Sequence, residues 1–401
     1  MFACSSFPER CRRSGLMLIE VLVVAAVMVM LIAEPLSLLG LMFTPAEYFS
    51  LLVLALVMVG ALSTESPLKG VFTTLIGLFL AMVGIDQQTG QIRFAFGNVD
   101  LMEGIDFIVV AIGLFAIAEV LVQAEITWET GASGRVSLQG GKWWTWLSWE
   151  ELKQSFMPYC RGTIIGFIVG VLPGAGATTA SFIVYIVEKK SSKHPEMFGK
   201  GAIEGVAAPE ASNNAAHQGA MVPLLTLGIP GSAATAVMLG AFMIYGVQPG
   251  PLLLQKSPDL VWAIIASMYI ANVILLIMNL PLINIFVKLL DLPAALLYSM
   301  VLAFCTLGVY SLRFTIFDVF LAIFFGVAGY FMRKHNYPAA PLLLALVLGE
   351  MIEQALRRAL GFSNGDWSIF FTRPISLGFQ ILIVGTLLYS GFSYLRKKRS
   401  S

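Results

Sequence analysis

The sequence predicts an all-α polytopic membrane protein with about nine to eleven transmembrane segments. Two of these are broken by Pro and Gly into discontinuous or hairpin helices. The composition is the first reason: 58% of the 401 residues are apolar and only 12% are charged, against about 25% charge in ordinary globular domains. Mean hydropathy is +0.83. Secondly, apolar runs near the length that spans a bilayer, about 20 residues, recur between short polar turns. Thirdly, the same device interrupts two apolar segments, at Leu172-Pro173-Gly174-Ala175-Gly176 and at Gly228-Ile229-Pro230-Gly231-Ser232.

The composition also excludes several function classes. A formal net charge of +1 gives no electrostatic footprint for nucleic acid. Cys4, Cys11, Cys160 and Cys305 have neither disulfide-framework nor metal-ligand spacing. His194, His217 and His335 are far apart, and no zinc-protease, phosphate-loop or hydrolase-elbow motif occurs. The sequence therefore points away from an enzyme, a metal site or an organic cofactor.

Residues 1–15 form a polar leader carrying Arg10, Arg12 and Arg13. Residues 16–122 hold the N-terminal transmembrane helices. Their first run, 16–33, is near the shortest that spans. It carries Glu20, whose charge at a helix centre would cost about 2.5–3.5 kcal/mol; it is read as snorkelling or helix-paired. Spans follow at 48–62, 71–85 and 105–122. The polar connection 86–104 holds Arg93, Phe94 and Phe96, and Asp106 complements a helix N-terminus. Residues 123–161 form an amphipathic connection with Trp128, Trp143, Trp144, Trp146 and Trp149, read as a headgroup-level belt over an aromatic cage. Within it, Ser148 three residues before Glu151 is a capping pattern.

Residues 162–251 are the broken-helix region, and 252–395 the C-terminal helices. Those spans fall at 260–290 (bent at Pro281), 294–310, 316–331, 338–352 and 375–395. Asn272 and Asn279 share a face and are read as interhelical hydrogen-bonding groups. Basic residues at 189–200, at 333–335 and in the tail 396–401 place those segments, and the C-terminus, in the cytoplasm. Arg357 and Arg358 then fall outside, with Glu353 one turn away as a partner.

The breaks carry the chemistry. Proline removes a backbone donor and clashes with the preceding turn, while glycine accepts dihedrals other residues avoid. In a bilayer the freed groups must be satisfied by protein, water or ligand. A half-helix that restarts there presents orphan N–H groups and partial positive charge, which suit a carboxylate. Paired interruptions of this kind are a sequence pointer to a transporter's binding site. The candidate substrate-binding residues are Pro173, Gly174, Gly176, Thr178 and Thr179 at the first break. At the second they are Pro230, Gly231, Ser232 and Thr235. Between the breaks, Asn213 and Asn214 offer side-chain hydrogen bonds. Glu210, or carbonyls freed at the breaks, is the candidate for a coupling cation, Na+ or H+.

Three stretches resemble a known family: GVLPGAGATTASF (170–182), FGKGAIEGVAAPEASNNAAHQGAMVPLLTLGIPG (198–231) and GVQPGP (246–251). The resemblance is to the large membrane subunit of tripartite tricarboxylate transporters. Weaker similarity at PAEYF (45–49), SPLKG (66–70), VGID (83–86) and RFAFG (93–97) extends it over nearly all the chain after about residue 16. The resemblance implies uptake of citrate-like or other carboxylates through a bacterial inner membrane. It implies a periplasmic solute-binding protein and a small second membrane subunit as partners. Family members carry an earlier pair of broken segments in a first repeat. Here the residues before Leu51 contain only Pro35 and Pro45, with no Pro-Gly break. That repeat is therefore expected to be missing or cut short, to be replaced by a second chain or a homodimer.

Three alternatives stand beside the carrier reading. A non-transporting fragment or scaffold would explain the short N-terminal part. A membrane enzyme could pair His217 with Glu210, seven residues apart. Arg12-Arg13-Ser14-Gly15 before an apolar run with Glu20 also resembles a prepilin leader, although nothing downstream resembles a pilin.

Overall fold

The computed structural model describes residues 17–62, 67–86, 89–130, 149–172, 176–192, 194–198, 201–279 and 292–400. The leader, most of the Trp-rich connection, Pro173–Ala175 and the bend at Pro281 lie outside the described residues. In chain order the helices are α1 (Met17–Gly40), α2 (Pro45–Leu62) and α3 (Pro67–Ala81), then α4 (Phe107–Ala111), a π-helical stretch (Ile112–Ile117) and α5 (Ala118–Thr130). Next come α6 (Trp149–Val171), α7 (Gly176–Ser191), α8 (Glu204–Gly219), α9 (Met221–Leu227) and α10 (Ala233–Ile244). The last are α11 (Pro258–Asn279), α12 (Ala294–Arg313), α13 (Ile316–Lys334), α14 (Ala339–Phe362) and α15 (Pro374–Ser400). Two strands of two residues each, β1 (Gly84–Ile85) and β2 (Ile92–Arg93), pair antiparallel. The protein is thus all-α. Among the described residues, five helices are long and apolar enough to cross a membrane, and five shorter apolar helices accompany them.

Local sequence explains the helix boundaries. Pro45, Pro67, Pro258 and Pro374 open helices where a missing N–H costs nothing. Asp106 caps α4 by accepting from Ile108 N at 2.7 Å, as its position suggested. Thr315 caps α13. α6 starts inside the Trp-rich stretch and continues to Val171, so the first broken segment is a helix of 23 residues with Pro158 within it.

The chain divides into two compact units: residues 1–40, 134–231 and 249–292 form the first, and 41–133, 232–248 and 293–401 the second. In the second unit every long helix runs between two ends. At one end Lys69 donates to the His335 carbonyl at 2.6 Å, Lys334 pairs with Glu125 at 2.6 Å, and Arg333 pairs with Glu119. At the other, Arg93 meets Glu353 at 2.9 Å, Arg313 meets Asp318 at 2.5 Å, and Arg373 faces Glu47 at 3.6 Å. Between the ends lies an apolar core built from Val110, Leu114, Phe325, Leu342 and Leu343. Close helix approach depends on small residues. A Cβ on Gly77 of α3 would lie 2.2 Å from the Leu342 carbonyl of α14.

In the first unit, α6 packs along α8 over nearly its whole apolar half. The reason is a ladder of glycines. Cβ atoms on Gly162, Gly166 and Gly170 would fall 2.4, 2.4 and 2.2 Å from the carbonyl oxygens of Ala208, Ser212 and Ala216. The four-residue spacing on both helices keeps the contacts in register. α7 folds back beside α6, clamped by Arg161, whose guanidinium donates twice to Glu188 at 2.9 and 2.6 Å. Glu188 is buried.

Candidate functional site

The first break lies at the tip of the α6–α7 hairpin. Pro173 and Gly174 are outside the described residues, and Gly176 and Thr178 are placed by backbone in the first turns of α7. Thr179 is half-buried there. One turn on, the Ser181 hydroxyl lies 3.0 Å from the carbonyls of both Ala177 and Pro209, tying α7 to α8.

The second break is resolved in detail. α9 ends on Gly228 in the left-handed region, φ +70°. Gly228 N–H returns to the Leu224 carbonyl and Ile229 N–H to Pro223, which closes the orphan carbonyls of the last turn. The left-handed residue is Gly228 and not the glycine after the proline. Gly231 is needed for a different reason: a Cβ on it would lie 3.0 Å from the Ala220 Cβ and 3.2 Å from the Gly170 carbonyl oxygen. Gly170 stands three residues before Pro173. Within the first unit, the second break is therefore packed against the last turn before the first break.

Ser232 and Thr235 start α10, in the second unit. They form a reciprocal cap: Ser232 N–H donates to Thr235 Oγ1 at 2.8 Å, and Thr235 N–H to Ser232 Oγ at 3.3 Å. Both hydroxyls thus serve the helix start, and Thr235 is buried. The N–H groups of Ala233 and Ala234 are the remaining first-turn donors.

Between the breaks, α8 turns a polar stripe outward. Glu210 and His217 are exposed, and Asn213 and Asn214 are half-buried. The Asn214 amide donates to the Glu210 carbonyl at 3.1 Å. His217 and Glu210 make no hydrogen bond or ion pair with each other; seven residues of helix separate them by about 10 Å, so they do not form a direct acid–base couple. On the buried side of α8, Gln218 donates to Asn272 Oδ1 of α11 at 3.1 Å. Asn272 is thus an interhelical hydrogen-bonding group, as expected from sequence. Gln218 Oε1, Asn272 Nδ2 and Ser212 Oγ end buried without a protein partner.

The glycine ladder and Gln218 were missed from sequence. The signal for the ladder was present, three glycines at four-residue spacing just before the first break. Gln218 lies inside the polar run but carried no mark that it faces inward.

The model of the tripartite tricarboxylate transporter TctA family matches residues 21–344. The chain belongs to that family. Similar relatives include an "Uncharacterized 52.8 kDa protein in TAR-I ttuC' 3'region" of Agrobacterium vitis, 43% identical over 378 residues, 94% of this chain and 74% of the relative. An "Uncharacterized protein in TAR-II ttuC' 3'region" of the same organism is 45% identical over 234 residues, 58% of this chain and 97% of that one. No solved structure matches. As a TctA-family protein the chain is a membrane subunit of a tricarboxylate transporter.

Proposed function

We propose that this chain is the large membrane subunit of a binding-protein-dependent secondary transporter that takes up tricarboxylates or related carboxylates across a bacterial inner membrane. One observation carries the reading: Gly231 packs on Gly170, so the two interrupted segments meet. Substrate carboxylates bind the backbone N–H groups that follow the breaks, at residues 174–179 and around Gly231, where helix ends favour negative charge. Asn213 and Asn214 add neutral donors from the polar stripe of α8. Glu210, on the same stripe, holds the coupling cation, Na+ or H+. A periplasmic solute-binding protein delivers substrate, and a small second membrane subunit completes the complex.

Orientation follows from charge. The end of the second unit bearing Lys69, Arg333 and Lys334 faces the cytoplasm, together with the tail 396–401. The arginines at the opposite end are matched by carboxylates: Arg93 and Arg357 by Glu353 and Asp86, Arg313 by Asp318, and Arg373 by Glu47.

The test is uptake of labelled di- and tricarboxylates by cells expressing the chain with its binding protein and small subunit, wild type against Gly231→Val. Valine cannot fit between Ala220 and the Gly170 carbonyl without moving one of them, so carboxylate binding is lost while membrane insertion, set by summed apolarity, persists. Wild-type uptake by the valine variant refutes the half-helix site. Failure of every carboxylate to enter wild-type cells refutes the transport reading.

A further inference from the structure

The loop between α3 and α4 presents an aromatic side chain that its own backbone does not favour. After β2 the chain turns sharply. Asn98 N–H donates to the Ala95 carbonyl at 2.8 Å and closes a four-residue turn with Phe96 and Gly97 at its centre. Both central residues are left-handed, φ +50° and +80°. Positive φ at both is the pattern of a type I′ turn, whose central positions go to Gly, Asn and Asp because a Cβ is crowded there. Gly97 fits that rule and Phe96 does not. Phe94, two residues earlier, is left-handed as well, φ +53°. Phe96 is 89% exposed, so its ring packs on little of the protein to offset the strain. Space around the tip is open: a Cβ on Gly97 would meet nothing within 4 Å. Turn chemistry alone asks for Asn at 96, and a bulky residue held there against its preference points to a contact outside the chain.

The position of the loop says what that contact is. Phe72, Leu75 and Phe79 are exposed along one face of the apolar helix α3. In a membrane protein such a face meets acyl chains. Phe79 lies two residues before the end of α3 at Ala81, and the Phe94 ring packs on it with centroids 5.2 Å apart. The neighbours of Phe94 turn inward: Arg93 pairs with Glu353 of α14 at 2.9 Å, and Ala95 is buried. The exposed apolar face of α3 therefore continues through Phe94 into the turn that carries Phe96, and on to Val99, which is 73% exposed. It does so where the apolar helix gives way to polar chain. That is the level of the boundary between headgroups and acyl chains, where Phe, Trp and Leu side chains of surface-bound segments insert.

We propose that residues 94–99 form an interfacial anchor, with Phe96 and Val99 inserted into the lipid surface at the Arg93 end of the second unit. Transfer of these side chains out of water offsets the strain at Phe94 and Phe96. Because Arg93 adjoins the anchor, the anchor also holds the Arg93–Glu353 pair at a fixed height in the bilayer. The proposal needs neither the carboxylate site at the breaks nor Glu210.

Full-length protein with Cys4, Cys11, Cys160 and Cys305 replaced by serine receives Val99→Cys, labelled with a nitroxide, and is reconstituted in liposomes of phosphatidylethanolamine and phosphatidylglycerol. Oxygen, which concentrates in the bilayer, relaxes the label more than a water-soluble nickel chelate does. Adding Phe96→Asn then lowers the ratio of oxygen to nickel collisions. Asparagine accepts the left-handed backbone, so the melting temperature does not fall and the shift reports the lost ring alone. A label that nickel relaxes more than oxygen puts the tip in water and overturns the proposal. A label that neither reaches puts it against a second copy of the chain and overturns it too, as does a ratio that Phe96→Asn leaves unchanged. If the cysteine-free protein does not fold, Phe96→Trp in the otherwise unaltered chain serves. Its added fluorescence is quenched by lipids brominated on the acyl chain, and quenching by aqueous iodide alone refutes the anchor. Carboxylate binding in the same liposomes reports separately on the breaks.

Discussion

Replacing Arg161 by Met should open the hairpin that carries the first break. Glu188 is 1% exposed, and its two oxygens are held by Arg161 at 2.9 and 2.6 Å. Removing one partner of a buried pair leaves an uncompensated charge, which costs about 3–5 kcal/mol. Arg161 itself is 40% exposed, so water can reach part of the vacated space, and the loss should be nearer 2–3 kcal/mol. For a unit of this size, that lowers the melting temperature by roughly 4–12 °C. Circular dichroism of the purified protein in detergent measures it. The double variant Arg161→Met, Glu188→Leu removes the charge as well as its partner and should recover most of the loss, since apolar replacements of buried pairs are often neutral. A lone Arg161→Met as stable as wild type, or a double variant no better than the lone one, would refute the clamp.

Three further outcomes follow from the same geometry. Gly166→Val puts a branched side chain where a Cβ already lies 2.4 Å from the Ser212 carbonyl oxygen; it should destabilise by about 1–3 kcal/mol or more, read as a lower melting temperature. Asn213→Ala should weaken carboxylate binding by about 0.5–1.5 kcal/mol, the worth of one neutral hydrogen bond, in a direct binding titration; no change removes Asn213 from the site. A cysteine at Ser400 should react with a membrane-permeant thiol reagent but stay protected from an impermeant one in intact cells, and the reverse pattern inverts the topology.

Much of the helix plan is legible in the sequence, because spans such as 45–62 and 316–334 are apolar runs punctuated by Pro, Thr and basic turns. The breaks are legible too, since Pro next to Gly leaves few alternatives. Even the Glu353–Arg357 contact follows from spacing along one helix. Contacts across the chain do not. Arg93 and Glu353 are 260 residues apart, and no local pattern says which carboxylate an arginine in a loop will find. The second break shows the same limit at short range. Gly228 and Gly231 look interchangeable in the string, but one is there for its dihedral and the other for its missing side chain. The hydroxyls of Ser232 and Thr235 face a similar choice between a ligand and their own helix start, which only coordinates distinguish.

The interleaving of the two units has a consequence for biosynthesis. The chain passes between them at residues 40/41, 133/134, 231/232, 248/249 and 292/293. The second unit therefore cannot close until the last helix leaves the ribosome. Ser50 of α2 shares a buried hydrogen bond with Ser376 of α15, 326 residues later, and Glu47 awaits Arg373. At about 5–20 residues per second, that wait is roughly 15–65 s. For that time the Glu47 carboxylate and the Ser50 hydroxyl have only their local partners, Thr44 and the Ala46 carbonyl, and lack those that α15 brings. A nascent chain halted before residue 373 is thus a polar liability in lipid as well as an unfinished carrier, and a natural target for whatever clears or holds unassembled membrane helices.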